Sequence, residues 1–338
     1  MELCYYRDPQ LNFGDDLNSV VWPQLLSQTV REHPDLVLVG IGSILNETML
    51  GRYTGTGQRL LVVGSGTSYG SPPAQLEHME VLAVRGPYTA AVIGKPRAAV
   101  TDGAILLAQL AAPLPPERAR DLVLFMPHHR TLGATPWQRI ASECGLTYVS
   151  PQQPVERILQ LYARARLVVT EAMHGAIVAD TLRIPWIPLA ISPAIEEFKW
   201  RDWCQSMNLP FQPQRLPAGS YRDLGRFAHM AQLLRQQRLH GFDNIPHDAS
   251  PQALRHYLAR RFDGPLKDLS WQRPPARTRA LNRLLALAAD AVPRKAAVQA
   301  LAQATRSEPF LSKDSVFRGR LQQMLSAVER VEHLARQG

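Results

Sequence analysis

The sequence predicts an α/β fold: two doubly wound parallel-sheet domains, followed by a C-terminal helical appendage. Three observations carry this. Short apolar runs ending in turn residues recur through the first two-thirds, with helical spacing between them. A proline-rich segment, Ala111-Ala-Pro-Leu-Pro-Pro-Glu117, interrupts that rhythm, which then resumes. The length of 338 residues exceeds one ordinary core.

In chain order, Leu36–Gly40 and Leu60–Gly64 read as buried strands, each ending in glycine. Val81–Val84 ends at Arg85-Gly86-Pro87, and Ala98–Val100 ends at Thr101-Asp-Gly103. After the linker, 121–126 reads as a strand, 135–144 as a helix, 146–149 as a strand and 155–165 as a helix. Leu167–Val169 is a short strand just before His174, and 184–189 is another. Residues 219–238 and 251–262 suit helices, and beyond about 265 the chain is helical, basic and rich in Ala, Leu and Arg. The expected divisions are 1–115, 116–264 and 265–338, with a cleft between the first two.

Composition narrows the function. Hydrophobic residues make up 45% and charged residues 20%, as in a soluble globular protein. No apolar run reaches the ~18 residues of a membrane span. The N-terminus lacks the basic and apolar regions of a secretory signal. Cys4, Cys144 and Cys204 are scattered, which argues against a disulfide framework or a zinc site and fits the cytoplasm. Of the net charge of +9, about +7 falls in 271–338, where twelve Lys/Arg face five Asp/Glu. The basic run Trp271–Arg279 beside apolar Leu281–Ala289 suits either an anionic membrane surface or a solvated helical contact. No nucleic-acid motif is present. GxSxG, HExxH and P-loop motifs are absent as well.

Chemistry concentrates at strand ends. His174 falls where the strand 167–169 gives way to a helix, the usual ligand position of an open α/β sheet, and a histidine there can move protons near neutral pH. Glu171 lies three residues earlier, placed to orient it or take a hydroxyl proton. Asn12-Phe-Gly-Asp-Asp-Leu-Asn18 reads either as a turn with Asp15 or Asp16 capping a helix, or as a loop whose Asn12, Asp15 and Asp16 bind sugar hydroxyls or hold a base. Gly64-Ser-Gly-Thr-Ser-Tyr-Gly70 follows a strand with GxGxxxG spacing, not the GxGxxG of dinucleotide sites. Its Ser65 and Gly66, with Gly42 and Ser43 one strand earlier, let backbone approach a ligand. Arg85 is either an ion-paired arginine or a guanidinium clamp for phosphate or carboxylate. His128 and His129 also follow a strand, one of them expected to face the cleft. Lys199 is either a surface lysine or an anion-neutralising cation.

The ordered set Asn12–Asn18, Gly40-Ile-Gly-Ser43, Val63-Gly-Ser-Gly66, Val84-Arg-Gly-Pro87, Thr101-Asp-Gly103 and Glu171-Ala-Met-His-Gly175 resembles the polysaccharide pyruvyl transferase family. The likeness is closest to its exopolysaccharide ketal branch, of the succinoglycan and xanthan type, and spans about 3–205. It implies two Rossmann-like domains facing across a cleft, a GT-B-like arrangement. It also implies phosphoenolpyruvate as donor and a lipid-linked oligosaccharide as acceptor, giving a cyclic pyruvate ketal and phosphate, without cofactor or metal. Much of the family carries an Arg-Phe-His-Gly type motif where this chain has Met173-His174-Gly175, so Lys199, Arg201 or Arg183 becomes the expected substitute cation. In this reading His174 is the general acid, with Glu171 and Asp15 assisting. Arg85, Lys199, Asn12, Asp16, Gly42, Ser43, Ser65, Gly66 and His128 bind substrate. The enzyme is expected in the cytoplasm, its tail either against the inner membrane or serving as a solvated helical appendage or dimer contact. The competing expectations are a GT-B glycosyltransferase using a nucleotide sugar and a non-catalytic assembly protein on the same scaffold.

Overall fold

The computed structural model describes residues 1–73, 79–112, 115–236, 245, 249–263, 280, 284 and 290–337. It is a mixed α/β structure with two parallel sheets. The first contains β1 (Glu2–Cys4), β2 (Leu36–Val39), β3 (Arg59–Ser65) and β4 (Met79–Val84), in that spatial order. The second contains β5 (Leu122–Met126), β6 (Thr147–Tyr148), β7 (Ala165–Thr170), β8 (Trp186–Ala190) and β9 (Gln214–Arg215), in the order β6-β5-β7-β8-β9. Every pairing between named strands is parallel.

The second sheet reverses direction between β5 and β7, as in a doubly wound fold, so its switch point opens beside the ends of those two strands. The first sheet does not reverse. Its four strands run in sequence order, which corrects the doubly wound expectation for that half. The expected strand 98–100 is reduced to a 3-10 turn, Pro96–Ala98, and one parallel bridge between Val84 and Ala99. Proline at the head of this segment has no N–H to give a ladder. Strands β1 and β9, too short for a periodic signal, were not foreseen.

The helices are α1 (Phe13–Leu25), α2 (Gln28–Glu32), α3 (Glu47–Leu50), α4 (Pro87–Val92), α5 (Trp137–Glu143), α6 (Val155–Tyr162), α7 (Met173–Thr181), α8 (Glu197–Ser206), α9 (Tyr221–Gln236), α10 (Pro251–Leu258), α11 (Ala291–Ala304) and α12 (Asp314–Gln337). A 3-10 segment spans Gly103–Gln109. Among the described residues no helix is long and apolar enough to cross a membrane, and the three cysteines are free.

Strand alternation sorts the core. On β2 and β3, Leu36, Leu38, Leu61 and Val63 join one cluster, while Val37, Val39, Leu60 and Val62 join another on the opposite face. The first cluster continues through Leu124, Met126, Val168 and Trp186 of the second sheet, so one core runs across both. A third cluster packs Phe125, Val169 and Ile187 against α5, α9 and α11.

The C-terminal region departs from the expected appendage. Helix α12 returns to the first sheet and buries Met324, Val328 and Val331 in the shared core. The Glu332 carboxylate accepts from Ser27 N (2.7 Å) and Ser27 Oγ (2.6 Å) at the head of α2. The apolar stripe of α12 drives this: a 24-residue helix with one greasy face must bury it. The basic run 271–279 and the stretch 281–289 lie outside the described residues, except Leu284.

Candidate functional site

A cavity of about 240 Å³ lies where the loops after β1, β2 and β3 meet those after β5 and β7. From the first half come Asn12, Gly14, Asp15, Ser43, Asn46 and Tyr69. From the second come His128, His129, Arg130, Met173, His174 and Lys199. The carboxyl ends of both sheets therefore converge on one space, at the switch point of the second. Of the expected residues, Asn12, Asp15, Ser43, His128, His174 and Lys199 line it together.

His174 stands in the first turn of α7, whose N-cap, Ala172, has no side-chain capping bond. The ring lies against Gly14: a Cβ there would sit 2.0 Å from His174 Nδ1. Only glycine fits this contact, which accounts for the glycine in Asn12-Phe-Gly-Asp-Asp. His174 Nε2 faces Asp102 Oδ2 at 3.7 Å, and neither buried atom has a hydrogen-bond partner. Asp102 Oδ1 accepts from Ala104 N (2.9 Å), capping the 3-10 segment and fixing the carboxylate toward the imidazole. Sequence reasoning named Thr101-Asp-Gly103 but gave Asp102 no role. It is a wholly buried carboxylate from the first half facing a histidine of the second.

Asp15 accepts from Asn12 Nδ2 (2.6 Å) and abuts Gly42. Burial pushes its carboxyl up to about 6, against the pull of His174 and Lys199. Asp16 is a backbone anchor instead: its Oδ2 accepts from Asn12 N (3.0 Å), and it does not line the cavity. The N-cap of α1 is Asn12 itself, not Asp15 or Asp16.

Glu171 does not line the cavity that His174 lines. It is 1% exposed, with Oε1 accepting from Ile191 N (3.0 Å) and Ser192 N (2.7 Å), and Oε2 from His128 N (3.2 Å) and the Thr131 hydroxyl. Burial raises its carboxyl above the usual range, against these donors. It ties the ends of β5, β7 and β8 together.

Arg85 is equally committed. It is fully buried, with Nε 3.1 Å from Asp202 Oδ2, and Nη2 donates to Thr67 O (3.1 Å). Asp202 also accepts from Thr89 N and Thr89 Oγ1, which fastens α8 to α4. Arg85 reaches the cavity only through Ser43, whose Oγ accepts from Nη1 at 2.6 Å and keeps its own proton to donate. The glycine turns serve this packing. A Cβ on Gly66 would lie 2.2 Å from the Arg85 guanidinium carbon. Gly66 N donates to Gly42 O (2.9 Å), as does Ser65 Oγ (3.2 Å). Gly42, Ser65 and Gly66 shape the wall without lining the cavity.

The cationic wall is formed by Lys199 and Arg130. Lys199 Nζ donates to the Tyr69 hydroxyl (2.9 Å), and the Arg130 guanidinium lies 5.0 Å from the Tyr69 ring centroid. Burial alone pushes the Tyr69 phenol up, but Lys199 and Arg130 outweigh it and leave it below the usual tyrosine range. Tyr69 has φ of 61°, a left-handed conformation unusual for a bulky residue, at the end of the glycine-serine turn. The His128 and His129 rings lie 4.2 Å apart between centroids, tilted by 37°. Burial, with His129, Lys199 and Arg130 beside it, holds His128 well below the ordinary histidine value. Burial and the same two cations hold His129 at about 3. Burial and the neighbouring cations therefore favour the neutral form of both imidazoles. Of the cations offered in place of the family arginine, only Lys199 lines the cavity. Arg201 pairs with Glu197, and Arg183 with Asp180 and Asp314.

Among the described residues no group of three His, Cys, Asp or Glu is placed to hold a metal ion. The arrangement can bind a small dianion on Lys199 and Arg130. It can also exchange a proton at His174 or Asp15 and hold hydroxyls on Asn12, Ser43 and Asp15.

Residues 76–193 match the polysaccharide pyruvyl transferase family. Over 336 residues the chain is 32% identical to succinoglycan biosynthesis protein ExoV of Rhizobium meliloti (strain 1021), covering 97% of this chain and 98% of that protein. No solved structure matches. The match in family, together with a relative aligned almost end to end, places this chain in the polysaccharide pyruvyl transferase family, as a transferase enzyme.

Proposed function

We propose that the enzyme uses phosphoenolpyruvate to build a cyclic pyruvate ketal on two hydroxyls of a sugar in a lipid-linked exopolysaccharide repeat. One observation carries this: a cationic wall, a carboxyl near 6 and a carboxylate-backed histidine converge on a single cavity. The donor's phosphate and carboxylate face Lys199, Arg130 and the uncapped start of α7, where backbone N–H groups favour anions. The neutral His128 and His129 can donate or accept there without adding charge. The acceptor's hydroxyls lie along Asn12, Asp15 and Ser43.

The reaction balances as follows. A proton goes to the methylene carbon, making the second carbon electrophilic. One sugar hydroxyl bonds to that carbon, the C–O bond to phosphate breaks, and phosphate departs. The second hydroxyl then closes the ring and returns a proton to His174, while phosphate leaves with the proton taken up by Asp15, giving a cyclic ketal whose carbon bears a methyl group and the carboxylate. His174 supplies the proton. With Nε2 directed at Asp102, the mobile proton is carried on Nδ1, beside Gly14. Asp15 accepts the proton released by the attacking hydroxyl.

The two halves, 1–115 and 116–264, act in this reading as facing Rossmann-like units in a GT-B-like arrangement, which brings donor and acceptor together without cofactor. The enzyme works at the cytoplasmic face of the inner membrane, where lipid-linked acceptors are presented. The test is phosphate release from phosphoenolpyruvate with a panel of lipid-linked or aryl glycosides. Release should require acceptor, and His174→Ala should lower it by about 10²–10⁴-fold. Undiminished release in that variant sinks the role of the histidine. Absence of release, with nucleotide-sugar binding instead, sinks pyruvyl transfer.

A further inference from the structure

A second, smaller chamber of about 40 Å³ lies behind the cationic wall. Tyr69, His128, Arg130 and Lys199 line both spaces, so they form a partition and not an end wall. Beyond it the chamber is closed by the β8–α8 loop at Ser192 and Ala194, and by Arg226 and Met230 on one face of α9. By the measure that gives a buried water roughly 10–15 Å³, this is room for about three waters, the bulk of one tetrahedral oxyanion.

Its charge favours an anion. Four cations line it (Arg130, Lys199, Arg226 and Arg261) against two carboxylates, Glu171 and Glu196. Glu171 is engaged by four donors. Glu196 accepts from the Tyr257 hydroxyl (3.2 Å) and faces Arg261 Nε at 3.8 Å. Arg226 is the least satisfied of the cations. Its Nη2 approaches Asp223 Oδ1 at 3.4 Å, yet Nε and Nη2 are buried without a hydrogen-bond acceptor. Asp223 is occupied elsewhere, since its Oδ2 accepts from Thr135 N (2.7 Å) and Thr135 Oγ1 (2.8 Å). Two buried guanidinium nitrogens short of acceptors, on a side chain that is otherwise 26% exposed, are costly, and a phosphate oxygen in the chamber supplies what is missing.

We infer that this inner chamber is a phosphate subsite, built on Arg226, that receives the phosphoryl group the donor carries and then loses. The existence of the subsite follows from the chamber; the identity of the donor rests on the pyruvyl-transfer reading above. Lys199 and Arg130, in the partition, then touch the phosphate from one side and the pyruvyl carboxylate from the other. The leaving group departs away from the acceptor hydroxyls.

The test is calorimetric titration of the full-length protein with inorganic phosphate, without acceptor or turnover, so that its failure is distinct from failure of the phosphate-release assay. Arg226→Gln should weaken phosphate binding at least 10-fold, and phosphoenolpyruvate should displace phosphate from the wild type. Ala194→Asp, which sets a carboxylate in the chamber from a partly exposed loop position, should weaken it similarly while leaving α9 intact. Thermal melts confirm that each variant is folded. Wild-type phosphate affinity in both folded variants overturns the subsite. Displacement by methyl diphosphate but not by phosphoenolpyruvate overturns the donor assignment in favour of the acceptor's diphosphate.

Discussion

Gly14 and His174 are in a contact that admits no side chain: the Cβ of any other residue at 14 would lie 2.0 Å from Nδ1 of the histidine. The two residues belong to opposite halves, so this contact sets how α1 and α7 meet at the cavity. Gly14→Ala should therefore displace the imidazole while leaving the distant core unchanged. A misplacement of ~1 Å can cost 10²-fold in rate, and a loss in kcat of about that size is expected. Phosphate-release kinetics beside a melting curve check it; a normal kcat with a normal melt defeats the argument.

Asp102 backs the same imidazole from the other side. Asp102→Asn keeps the shape and the cap to Ala104 but removes the charge facing Nε2. The expected outcome is a fall in kcat of about 10²-fold with KM for phosphoenolpyruvate unchanged, since Asp102 lies outside the cavity lining. A change in KM alone would assign Asp102 to folding or donor binding.

Asp15 gives the pH dependence. Its carboxyl is raised to about 6 by burial, so a role as proton acceptor predicts kcat/KM falling as pH drops through about 6. Asp15→Asn should flatten that limb and lower the plateau. Stability should move the opposite way. The native value lies above the unfolded one of about 3.9, so the native state binds the proton more tightly. The resulting stabilisation is complete below about 3.9 and lost as pH rises through about 6. Asp15→Asn should thus raise Tm at neutral pH, and a lowered Tm would contradict the burial effect.

Arg85 and Asp202 make a structural prediction. Both side chains are wholly buried and 3.1 Å apart. Removing one partner strands the other charge, which costs about 3–5 kcal/mol. Arg85→Met should lower the denaturant midpoint accordingly, and adding Asp202→Leu should recover part of the loss. Equal midpoints for wild type and Arg85→Met would show that the pair carries no stability.

The same pair shows what the sequence could and could not tell. The strands around 36–39, 59–65, 122–126 and 165–170 were legible because unbroken β-branched and leucine runs ending at turn residues mark buried parallel strands. The cavity position of His174 followed from the same logic. Arg85 and Glu171 also sit at strand ends, but their partners, Asp202 and the 191–192 backbone, are distant in sequence and become visible only after folding. Asp102, Tyr69 and Arg130 were missed as members of the site for the same reason. Asp102 and Tyr69 lay inside segments already noted and Arg130 directly after His129, yet only the meeting of the two sheets shows which turn residues face the cavity.

Helix α12 fixes the order in which the molecule can be made. The core around β2 and β3 stays incomplete until residues 314–337 pack against it, and those residues are synthesised after both sheets. The first sheet, although synthesised first, must wait with its apolar face open while more than two hundred further residues are added. Truncation within α12 would therefore harm the first sheet more than the second, exposing its apolar face to chaperones and proteases.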